Sequence, residues 1–339
     1  MNIVLIAYTR DGIQTGERIT EAFSDFQFRA FAPERISNSI FSRIPSPSEW
    51  FYREQFEWAD ALVFISSCGI AVRMIAPFVK DKTTDPAVLC IDDRGQYVIP
   101  LLSGHIGGAN DLARKIGKSL NALPVITTAT DNHKRFSVDS WASRNGFLID
   151  DMQLAKEISA AILEEDIPFL SEFPLPEHLS NGLVSKTSGR IGIYFGWKAI
   201  TPFEKTLRII PKCLHLGIGC RKGISFNSIK ESVFTILHRE KIDIRAIDLC
   251  VSIDLKAEES GLLEFCQYLN IPVAFYTAEE LQTVPGEFSH SDFVRKITGV
   301  DNVCERAAMK NADRLILTKQ VLNGVTAALG AKIKEVSFE

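Results

Sequence analysis

The stretch that decides the fold is QYVIPLLSGHIGGANDLARKIGKSLNALPVITT, residues 96–128. Its beginning, QYVIPLL, and its end, PVITT, are each typical of a β-strand. Between them the chain forms a glycine-containing loop and then a segment whose apolar residues follow helical spacing, namely Ala109, Leu112, Ala113, Ile116 and Leu120. A strand, a helix and a strand form a βαβ unit, in which the strands run parallel with a right-handed crossover.

Two earlier segments repeat this order of strand, loop and helix. Residues 2–8 form an apolar run that ends at TRDG, and residues 61–66 form a run that ends at SCGIAVR. The loops that leave the carboxyl ends of parallel strands lie at one edge of the sheet. We therefore expect loops 66–73, 103–108 and 127–131 to share that edge.

The middle of the chain has a different pattern. A helical pattern covers residues 136–163, and the proline-rich SEFPLPEHLSNG that follows breaks any regular element. Near residue 209 a new strand, glycine loop and helix begin within CLHLGIGCRKGISFNSIKESVFTIL. The sequence predicts an α/β fold with largely parallel sheets: an N-terminal Rossmann-like domain (1–135), a small middle linking α/β segment (136–208) and a C-terminal α/β domain (209–339).

The composition of the 339-residue chain excludes several classes of protein. With 46% hydrophobic and 24% charged residues, it is typical of a globular protein of mixed class and of two or three domains. The net charge of −4, without long blocks of like charge, argues against a nucleic-acid partner. No signal-peptide pattern begins the chain and no apolar run could span a membrane, so we expect a cytoplasmic protein without a membrane partner.

Neither cysteines nor histidines form a recognisable metal-binding motif. The seven cysteines are odd in number and include no CxxC pair, so the sequence supports neither a disulfide framework nor a cysteine zinc site. The six histidines are scattered and the HExxH motif is absent. We therefore expect no protein-bound metal, and we expect most of the cysteines to be reduced and buried.

The glycine-rich loop at 103–108 has two interpretations. Glycines between a strand and a helix let backbone N–H groups approach a ligand, and the helix start favours an anion or a developing oxyanion. Alternatively, the glycines only allow a tight turn with positive φ angles. His105 favours the first interpretation because an imidazole exchanges protons near neutral pH, although a lone histidine is more often structural.

Further polar groups follow at the end of the next predicted strand, in TTATD. Thr128, Thr130 and Asp131 place hydroxyls and a carboxylate on a loop that we expect to converge with Ser103 and His105. A serine hydrolase is the less favoured interpretation of these residues, because the GxSxG elbow is absent and the choice of aspartate would be arbitrary.

The second glycine loop, GIGCRKG at 217–223, is GxGxxxG and thus one residue longer than the usual dinucleotide fingerprint. It indicates NAD only weakly and favours a general anion cradle. Within it, Cys220 is either a nucleophile whose pKa is lowered by Arg221, Lys222 and a helix start, or a turn cysteine without a chemical role. The second alternative is the more common one.

Two polar segments lie further along the chain. VDNVCERAAMKNA predicts a capped helix with Glu305 and Arg306 on its solvated face. In SIDLKAEESG, the alternating residues Asp254, Lys256 and Glu258 either share one face of an extended segment or belong to a surface loop.

Stretches from both ends of the chain resemble the family of cobalt-precorrin-5A hydrolases, the cobalamin biosynthesis protein CbiG of the anaerobic pathway. The N-terminal resemblance is carried by GIAVRMIAPFVKDKTTDPAVLCIDDRGQYVIPLLSGHIGGANDLARKI and LPVITTATD. The C-terminal resemblance is carried by GIGCRKG, SIDLKAEESGLLEFC, YTAEEL and GVDNVCERAA. These motifs keep the family's order, whereas residues 136–208 match only as a variable middle segment. The chain departs from the pattern at Lys222, where a second arginine is common, and in the polar SFNSIK.

The resemblance implies a hydrolase. In this family's reaction, the δ-lactone of a cobalt-containing, ring-contracted tetrapyrrole is opened, and the excised meso carbon leaves with its methyl group as acetaldehyde, which gives cobalt-precorrin-5B. Water that attacks the lactone carbonyl needs a base and an oxyanion site. The resemblance implies no cofactor of the protein's own, because the substrate carries the cobalt. It is compatible with contacts to neighbouring pathway enzymes and with a homodimer.

The macrocycle is expected in a cleft between the N-terminal and C-terminal domains, faced by the three N-terminal loops and by residues 217–223. His105 is the expected general base, Asp131 its orienting or proton-relay partner, and Ser103 a further catalytic residue. Backbone amides near Gly107 and Gly108 are the expected oxyanion donors. The expected substrate-binding residues are Gly69, Arg73, Lys82, Gly104, Gly107, Gly108, Asn110, Thr128, Thr130, Gly217, Gly219, Cys220, Arg221, Lys222 and Glu305.

Two functions of other classes remain as alternatives. A non-catalytic tetrapyrrole carrier would need the same glycines and cations to hold the carboxylates of its ligand. A nucleotide-dependent enzyme would use the imperfect glycine loop at 217–223. Release of acetaldehyde distinguishes the hydrolase from the first alternative, and a thermal shift with NADPH or ATP tests the second.

Overall fold

The computed structural model describes residues 1–46, 48–81, 84–105, 107–128, 135–333 and 335–338, without the side chains of residues 49 and 293. The chain forms two compact units, Met1–Ser143 and Arg144–Glu339. The mixed α/β fold with largely parallel sheets is confirmed, and the domain boundaries at 135/136 and 208/209 stay a prediction. Within the described residues, no helix is both long enough and apolar enough to cross a membrane.

The first unit is built on a seven-stranded sheet with the strand order β3-β2-β1-β4-β5-β6-β7. The strands are β1 (Asn2–Ala7), β2 (Gln27–Ala32), β3 (Ser42–Arg43), β4 (Ala61–Ile65), β5 (Ala87–Ile91), β6 (Tyr97–Leu102) and β7 (Leu123–Pro124). The helices are α1 (Arg10–Ala22), α2 (Glu49–Trp58), α3 (Cys68–Ile75), α4 (Ala109–Leu120) and α5 (Val138–Asn145), and α5 extends across the boundary of the two units.

Helices cover both faces of this sheet, so its central strands are apolar on both sides. Helices α1 and α4 pack on one face, and helices α2 and α3 pack on the other. Their buried side chains include Ile13, Ile19, Leu112 and Ile116 on the first face and Phe51, Phe56, Ala71 and Ile75 on the second. The helical spacing recognised in the sequence of α4 is thus the face that packs on the sheet.

The direction of β6 corrects one prediction. β6 and β7 are parallel, as the βαβ unit requires, but β6 is antiparallel to β5, with Val88 opposite Leu102 and Ile91 opposite Val98. The carboxyl end of β6 therefore lies beside the amino end of β5, whereas loop 66–73 leaves the carboxyl end of β4. The prediction that loops 66–73 and 103–108 share one edge is wrong.

A short hairpin turn explains the reversal. Only residues 92–96 connect β5 with β6, and a parallel connection needs a crossover of a dozen or more residues. The Asp92 carboxylate accepts the N–H groups of Gln96 and Tyr97 at 2.7 and 2.6 Å, and Gly95 adopts a φ of +67°. Asp92 and Gly95 thus supply the local contacts and the positive φ that turn the chain back.

The second unit contains two five-stranded sheets. The first has the order β10-β9-β11-β12-β8, and all its strands are parallel except β8. Its strands are β8 (Leu148–Ile149), β9 (Ile167–Ser171), β10 (Leu183–Ser185), β11 (Ile191–Phe195) and β12 (Lys205–Ile210), and α6 (Met152–Ala161) lies between β8 and β9 in the chain.

The second sheet of this unit has the order β15-β14-β13-β17-β16. Its strands are β13 (Leu214–Cys220), β14 (Ile247–Ile253), β15 (Val273–Tyr276), β16 (Arg314–Leu322) and β17 (Val325–Ala331). Strands β13, β14 and β15 are parallel, and the hairpin β16–β17 adds two antiparallel strands. The helices are α7 (Phe226–Arg239), α8 (Ser260–Leu269), α9 (Ala278–Gln282), α10 (Asp292–Thr298) and α11 (Cys304–Met309).

Strand β13 buries a histidine. His215 is 1% exposed, and neither of its ring nitrogens has a hydrogen-bond partner among the described residues. Burial lowers the pKa of the imidazole, and the positive charge of Lys332 lowers it further, against the opposing effects of Asp248 and Asp313. The ring is therefore neutral in the folded protein at neutral pH.

We expect the free energy of unfolding to fall as the pH drops below about 6.5. In the unfolded chain His215 takes up a proton at an ordinary pKa of about 6.5, whereas the folded protein does so only at lower pH. The unfolded state binds more protons in this interval, so stability declines by up to about 1.4 kcal/mol per pH unit. Urea unfolding between pH 5 and 7.5 measures this dependence.

The variant His215→Phe removes the group that titrates and should flatten this pH dependence. His178 is exposed, so His178→Gln serves as the matched control and should keep the wild-type slope. A His215→Phe protein that loses stability with acid as steeply as the wild type would contradict the assignment.

Candidate active site

The loop that follows β6 is folded tightly against the start of β5. Ser103 is buried and has a left-handed backbone, with a φ of +56°. Its hydroxyl donates a hydrogen bond of 3.0 Å to the carbonyl of Asp85, two residues before β5. A left-handed conformation is costly for a residue with a Cβ, so this bond helps to hold Ser103 in place.

Three backbone N–H groups at the junction of this loop with α4 are paired with carbonyls of the loop. Gly108 donates its N–H to the carbonyl of His105 at 2.9 Å, Ala109 donates to Ser103 at 3.1 Å and Asn110 donates to Gly104 at 2.9 Å. These bonds satisfy donors that a helix start otherwise leaves open, so the loop caps α4. The N–H of Gly108 is thus paired within the loop, and its role as an oxyanion donor stays a prediction.

The glycines of the loop are explained by its conformation. Gly108 has a φ of +77°, which confirms the tight-turn interpretation at this position. A Cβ at Gly104 would lie 2.9 Å from Oδ1 of Asn110, and a Cβ at Gly107 would overlap Cβ of Ser103. Larger residues would therefore force the loop apart.

One described contact joins the two loops of the βαβ unit, while the predicted convergence of Thr128, Thr130 and Asp131 with Ser103 and His105 stays a prediction. Asn110 is buried and donates its side-chain N–H to the hydroxyl of Thr128 at 3.1 Å. This contact joins the start of α4 to the segment after β7. His105 is half-buried in the same loop. Three predicted residues, Lys82, Thr130 and Asp131, lie outside the described residues.

The other predicted cation of the first unit lies at the opposite edge of the sheet. Gly69 and Arg73 are exposed residues of α3, which follows β4. Because β6 is reversed, neither shares an edge with Ser103 and His105. The predicted site residues of the first unit therefore lie at two opposite edges of the sheet, with Gly69 and Arg73 at one and the loop 103–108 at the other.

In the second glycine loop, residues 217–223, a ligand would meet cationic side chains rather than free backbone N–H groups. Arg221 donates its N–H to the carbonyl of Gly324 at 3.2 Å, and Gly223 donates its N–H to Oε2 of Glu259 at 2.8 Å. The side chains of Arg221 and Lys222 are exposed at the carboxyl end of β13. An anion at this loop would therefore meet two cations, while the amides of residues 221 and 223 are already paired.

Cys220 does not have the environment of an activated nucleophile. Burial raises the pKa of its thiol, and the negative charge of Glu259 adds to this effect, whereas the positive charge of Lys256 opposes it. A raised pKa leaves less thiolate, the reactive form, at neutral pH. The structure favours the alternative of a turn cysteine.

Glu259 is a residue that the sequence analysis missed. It is 9% exposed, and its second oxygen, Oε1, accepts a hydrogen bond of 3.0 Å from the ammonium of Lys256. Although burial opposes its charge, the bonds from Lys256 and from the amide of Gly223 keep the pKa of Glu259 below its ordinary value. In the sequence, the spacing of three residues between Lys256 and Glu259 indicates that the two side chains can form an ion pair.

Two predicted binding glycines are required for packing. Gly217 is buried beneath α11, where an added Cβ would overlap the carbonyl oxygen of Cys304 and lie 2.9 Å from its carbonyl carbon. At Gly219 the added Cβ would lie 2.6 Å from the hydroxyl of Thr326, which donates to the carbonyl of Gly219 at 3.1 Å. Close contact with neighbouring elements explains both glycines.

Glu305 is buried, so the prediction that it lies on a solvated helix face is wrong. It is 1% exposed, and its Oε2 accepts hydrogen bonds from the N–H of Ser289 at 2.8 Å and from Asn302 at 2.7 Å. Its Oε1 accepts the N–H of Lys319 at 2.6 Å. The carboxylate thus joins the segment before α11 to strand β16. Arg306 is also largely buried and is paired with Asp301 at 2.8 Å.

Among the residues that the structure describes, no three side chains of His, Cys, Asp or Glu lie close enough together to hold a metal ion. Two described places hold polar groups that the sequence analysis singled out for chemistry. The first is the loop with His105 and its neighbours Asn110 and Thr128, and the second is the cationic loop with Arg221 and Lys222. Such groups can exchange a proton and hold carboxylates, respectively.

Comparison with known proteins gives matches along most of the chain. The family model described as "Cobalamin synthesis G N-terminal" matches residues 51–131, and the model "Cobalamin synthesis G C-terminus" matches residues 214–330. A cobalt-precorrin-5A hydrolase from Priestia megaterium is 34% identical over 81% of this chain and 79% of its own. One from Salmonella typhimurium is 30% identical over 97% of each chain.

A solved structure of a cobalamin biosynthesis protein G homologue from Sulfolobus solfataricus is also similar. It is 23% identical over 97% of each chain, with a TM-score of 0.43.

Proposed function

The chain belongs to the cobalamin biosynthesis G family, and from this premise we propose that it is a cobalt-precorrin-5A hydrolase, which opens the substrate's δ-lactone and releases acetaldehyde to give cobalt-precorrin-5B. The observation that carries this proposal is the 30% identity over 97% of both chains with a protein of that name. Both terminal family models match in the expected order. We propose no metal of the protein's own, because the substrate carries its cobalt with it.

In the proposed mechanism, His105 removes a proton from the water that attacks the lactone carbonyl. The turn formed by Ser103, Gly104 and Gly108 holds His105 at the start of α4, and the contact of Asn110 with Thr128 fixes the neighbouring segment. The hydroxyl of Ser103 already donates a hydrogen bond to the carbonyl of Asp85. We therefore propose that Ser103 stabilises the conformation of the loop. A positioned imidazole can take a proton from water and return it in a later step, as general acid–base catalysis requires.

Asp131 is the proposed orienting or proton-relay partner of His105, and the amide of Gly107 remains the proposed oxyanion donor. After the lactone opens, the new alkoxide oxygen on the excised carbon becomes the aldehyde oxygen, and the electrons of the broken carbon–carbon bond return to the macrocycle. The macrocycle then takes up a proton, and the protonated His105 is the proposed donor.

The substrate's acetate and propionate groups require cations and hydroxyl donors. We assign them to Lys82, Arg221 and Lys222, because the N–H groups of Arg221 and Gly223 are already engaged within the protein. Arg73 lies at the opposite edge of the first sheet from His105 and is left out of this assignment. Carboxylates bound by Arg and Lys form charge-assisted hydrogen bonds, which are stronger than neutral ones. We also propose a cytoplasmic location, a homodimer and contact with neighbouring enzymes of the pathway.

Glu259 is expected to position the cationic loop. In Glu259→Ala, the N–H of Gly223 and the ammonium of Lys256 lose their acceptor, so the free energy of unfolding should fall by about 2 kcal/mol. The looser loop should raise KM for cobalt-precorrin-5A about threefold, since each exposed ion pair contributes at most about 1 kcal/mol, with little effect on kcat. Steady-state kinetics and urea unfolding measure the two effects.

The variant Glu259→Gln keeps an acceptor for Gly223 but loses the charge that Lys256 needs, so its KM should lie between those of the wild type and Glu259→Ala. Glu258 is the exposed neighbour, and Glu258→Ala is the matched control. If Glu259→Ala lowers kcat while KM stays constant, Glu259 does not act through the cationic loop.

The direct test of the proposed function is turnover. The purified protein should convert cobalt-precorrin-5A into a macrocycle whose mass corresponds to addition of water and loss of acetaldehyde. Reduction of the released acetaldehyde by alcohol dehydrogenase and NADH gives its amount, which should equal the amount of product. Tight binding of the substrate without acetaldehyde would instead show a tetrapyrrole carrier.

A further inference from the structure

We infer that the second unit contains a separate binding pocket for a carboxylated tetrapyrrole, between the connection of β11 to β12 and the carboxyl end of α7. The identity of the ligand rests on the proposed function. The pocket has a volume of about 790 Å³, within the usual range for small-molecule sites of about 300–1,000 Å³. None of its lining residues was predicted as a site residue from the sequence.

The walls of the pocket are mainly apolar. One wall is the connection between β11 and β12, and the other is the last turns of α7 with the segment that follows. The apolar lining residues are Ile200, Pro202, Phe234, Leu237, Ile242 and Ile244. Such walls suit the flat, methylated faces of a tetrapyrrole ring, which are largely hydrocarbon.

The polar groups of the lining are mainly hydrogen-bond donors. Arg208, His238 and Lys241 line the pocket, and Asp243 is its one carboxylate among the described residues. Asp243 is 6% exposed and is paired with Arg208 at 3.0 Å and with Arg245 at 2.7 Å. Its charge is therefore balanced inside the protein, and Lys241 adds a positive charge at the pocket.

The arginine in the wall is held rigidly. Nε of Arg208 donates to Asp150 at 2.8 Å while Nη1 donates to Asp243, and the side chain is only 18% exposed. A guanidinium fixed on two sides loses little rotamer freedom when a further acceptor binds. Such a group is preorganised for a carboxylate at the edge of the ligand.

The backbone at the rim supports the same conclusion. Lys241 has a left-handed backbone, with a φ of +53°, although glycine would adopt this conformation more easily. Its carbonyl accepts the N–H of Ala199 at 2.7 Å, and Lys198 pairs with Ile242, so the two walls are joined directly. Lys241 therefore keeps a positive charge at the pocket although its backbone conformation would suit glycine better.

This pocket is distinct from the cationic loop at 220–223. Helix α7 begins near the carboxyl end of β13 and ends before β14, which runs parallel to β13 with Leu214 opposite Ile247. The pocket and the cationic loop therefore lie at opposite edges of the same sheet. A ligand in the pocket is held by Arg208, His238 and Lys241, independently of Arg221 and Lys222.

The test uses two cobalt corrinoids that have the same ring system and differ in their side chains. Cobyrinic acid has side chains that end in carboxylates, whereas the corresponding side chains of cobinamide end in amides. Isothermal titration of the full chain should show tighter binding of cobyrinic acid. Hydrogen exchange with this ligand should show protection at 199–202 and 234–244.

The variant Lys241→Gly removes the cation and also relieves the left-handed strain, so it should fold at least as well as the wild type. Its Kd for cobyrinic acid should be about threefold to fivefold higher, as expected for one exposed ion pair. Lys212→Ala, an exposed lysine outside the pocket, is the matched control and should keep the wild-type Kd.

Unchanged affinity in Lys241→Gly, or protection confined to residues outside the pocket such as 220–223, would overturn the inference. Its failure is distinguishable from that of the proposed function, because acetaldehyde release is measured separately. A protein that releases acetaldehyde without protection at 199–202 keeps the hydrolase function and loses this pocket.

Discussion

Replacement of His105 by alanine is expected to lower kcat for acetaldehyde release by about 10²–10⁴-fold, the usual contribution of a general base. The imidazole is the proton-accepting side chain of the loop at 103–108, and that loop is fixed by its own hydrogen bonds to the start of α4. Alanine keeps the backbone contact in which the carbonyl of residue 105 accepts the N–H of Gly108. The loss should therefore appear in kcat rather than in folding.

Three measurements separate this effect from a structural one. Urea unfolding of His105→Ala should stay within about 1 kcal/mol of the wild type, as is usual for a substitution outside the core. The exposed His178, changed to alanine, is the matched control and should keep full activity. Added imidazole should restore part of the lost rate. His105→Ala activity close to that of the wild type would remove His105 from the mechanism.

Gly217→Ala should lower the free energy of unfolding by about 3 kcal/mol. The new methyl group would overlap the carbonyl oxygen of Cys304, and a backbone carbonyl in α11 cannot rotate away as a side chain can. Overpacking of a core typically costs about 1–3 kcal/mol, and a collision with backbone belongs at the upper end of that range. Strand β13 and helix α11 would have to separate, which would also disturb the neighbouring Glu305.

Gly69→Ala is the matched control. Gly69 lies in α3, and the nearest atom to an added Cβ is 4.0 Å away. Alanine favours the helix over glycine by about 0.5–1 kcal/mol, so this variant should be slightly more stable than the wild type. Urea unfolding of both variants gives the comparison. A Gly217→Ala protein as stable as the wild type would show that α11 does not pack on β13 as described.

Much of the fold could be predicted from local patterns. Helical spacing in α4 and the apolar runs on either side were sufficient for the βαβ unit, and its strands are parallel. The direction of β6 relative to β5 was missed because β5 was not recognised as a strand of its own. AVLCI, DDRGQ and YVIPLL in succession carry the signal, since five residues can connect two strands only as a hairpin.

The candidate site was predicted less well, for a physical reason. A glycine in a sequence indicates a turn or a close approach, but it does not show whether the nearby N–H groups remain available. In this protein the N–H groups of Gly108 and Gly223 have partners within the chain, and Gly217 is required by the packing of α11. The partners are distant in sequence for Gly217 and Gly223, so spacing alone could not identify them.

The burial of Glu305 also depends on contacts that sequence spacing does not show. Its position in a short helix with charged neighbours suggested a solvated face, yet its carboxylate accepts the N–H groups of Ser289 and Lys319. Burial of a charge is stable only when several donors satisfy it. Those donors come from a loop and from strand β16, and only the tertiary fold brings them together.

Turnover in H₂¹⁸O tests the central claim, that water opens the lactone at its carbonyl, most directly. The account predicts one atom of ¹⁸O in the new carboxylate of the macrocycle for each molecule of acetaldehyde released. Mass spectrometry of the macrocyclic product measures its ¹⁸O, and the alcohol dehydrogenase assay measures the acetaldehyde released. Acetaldehyde release from a macrocycle that contains no ¹⁸O would contradict the account.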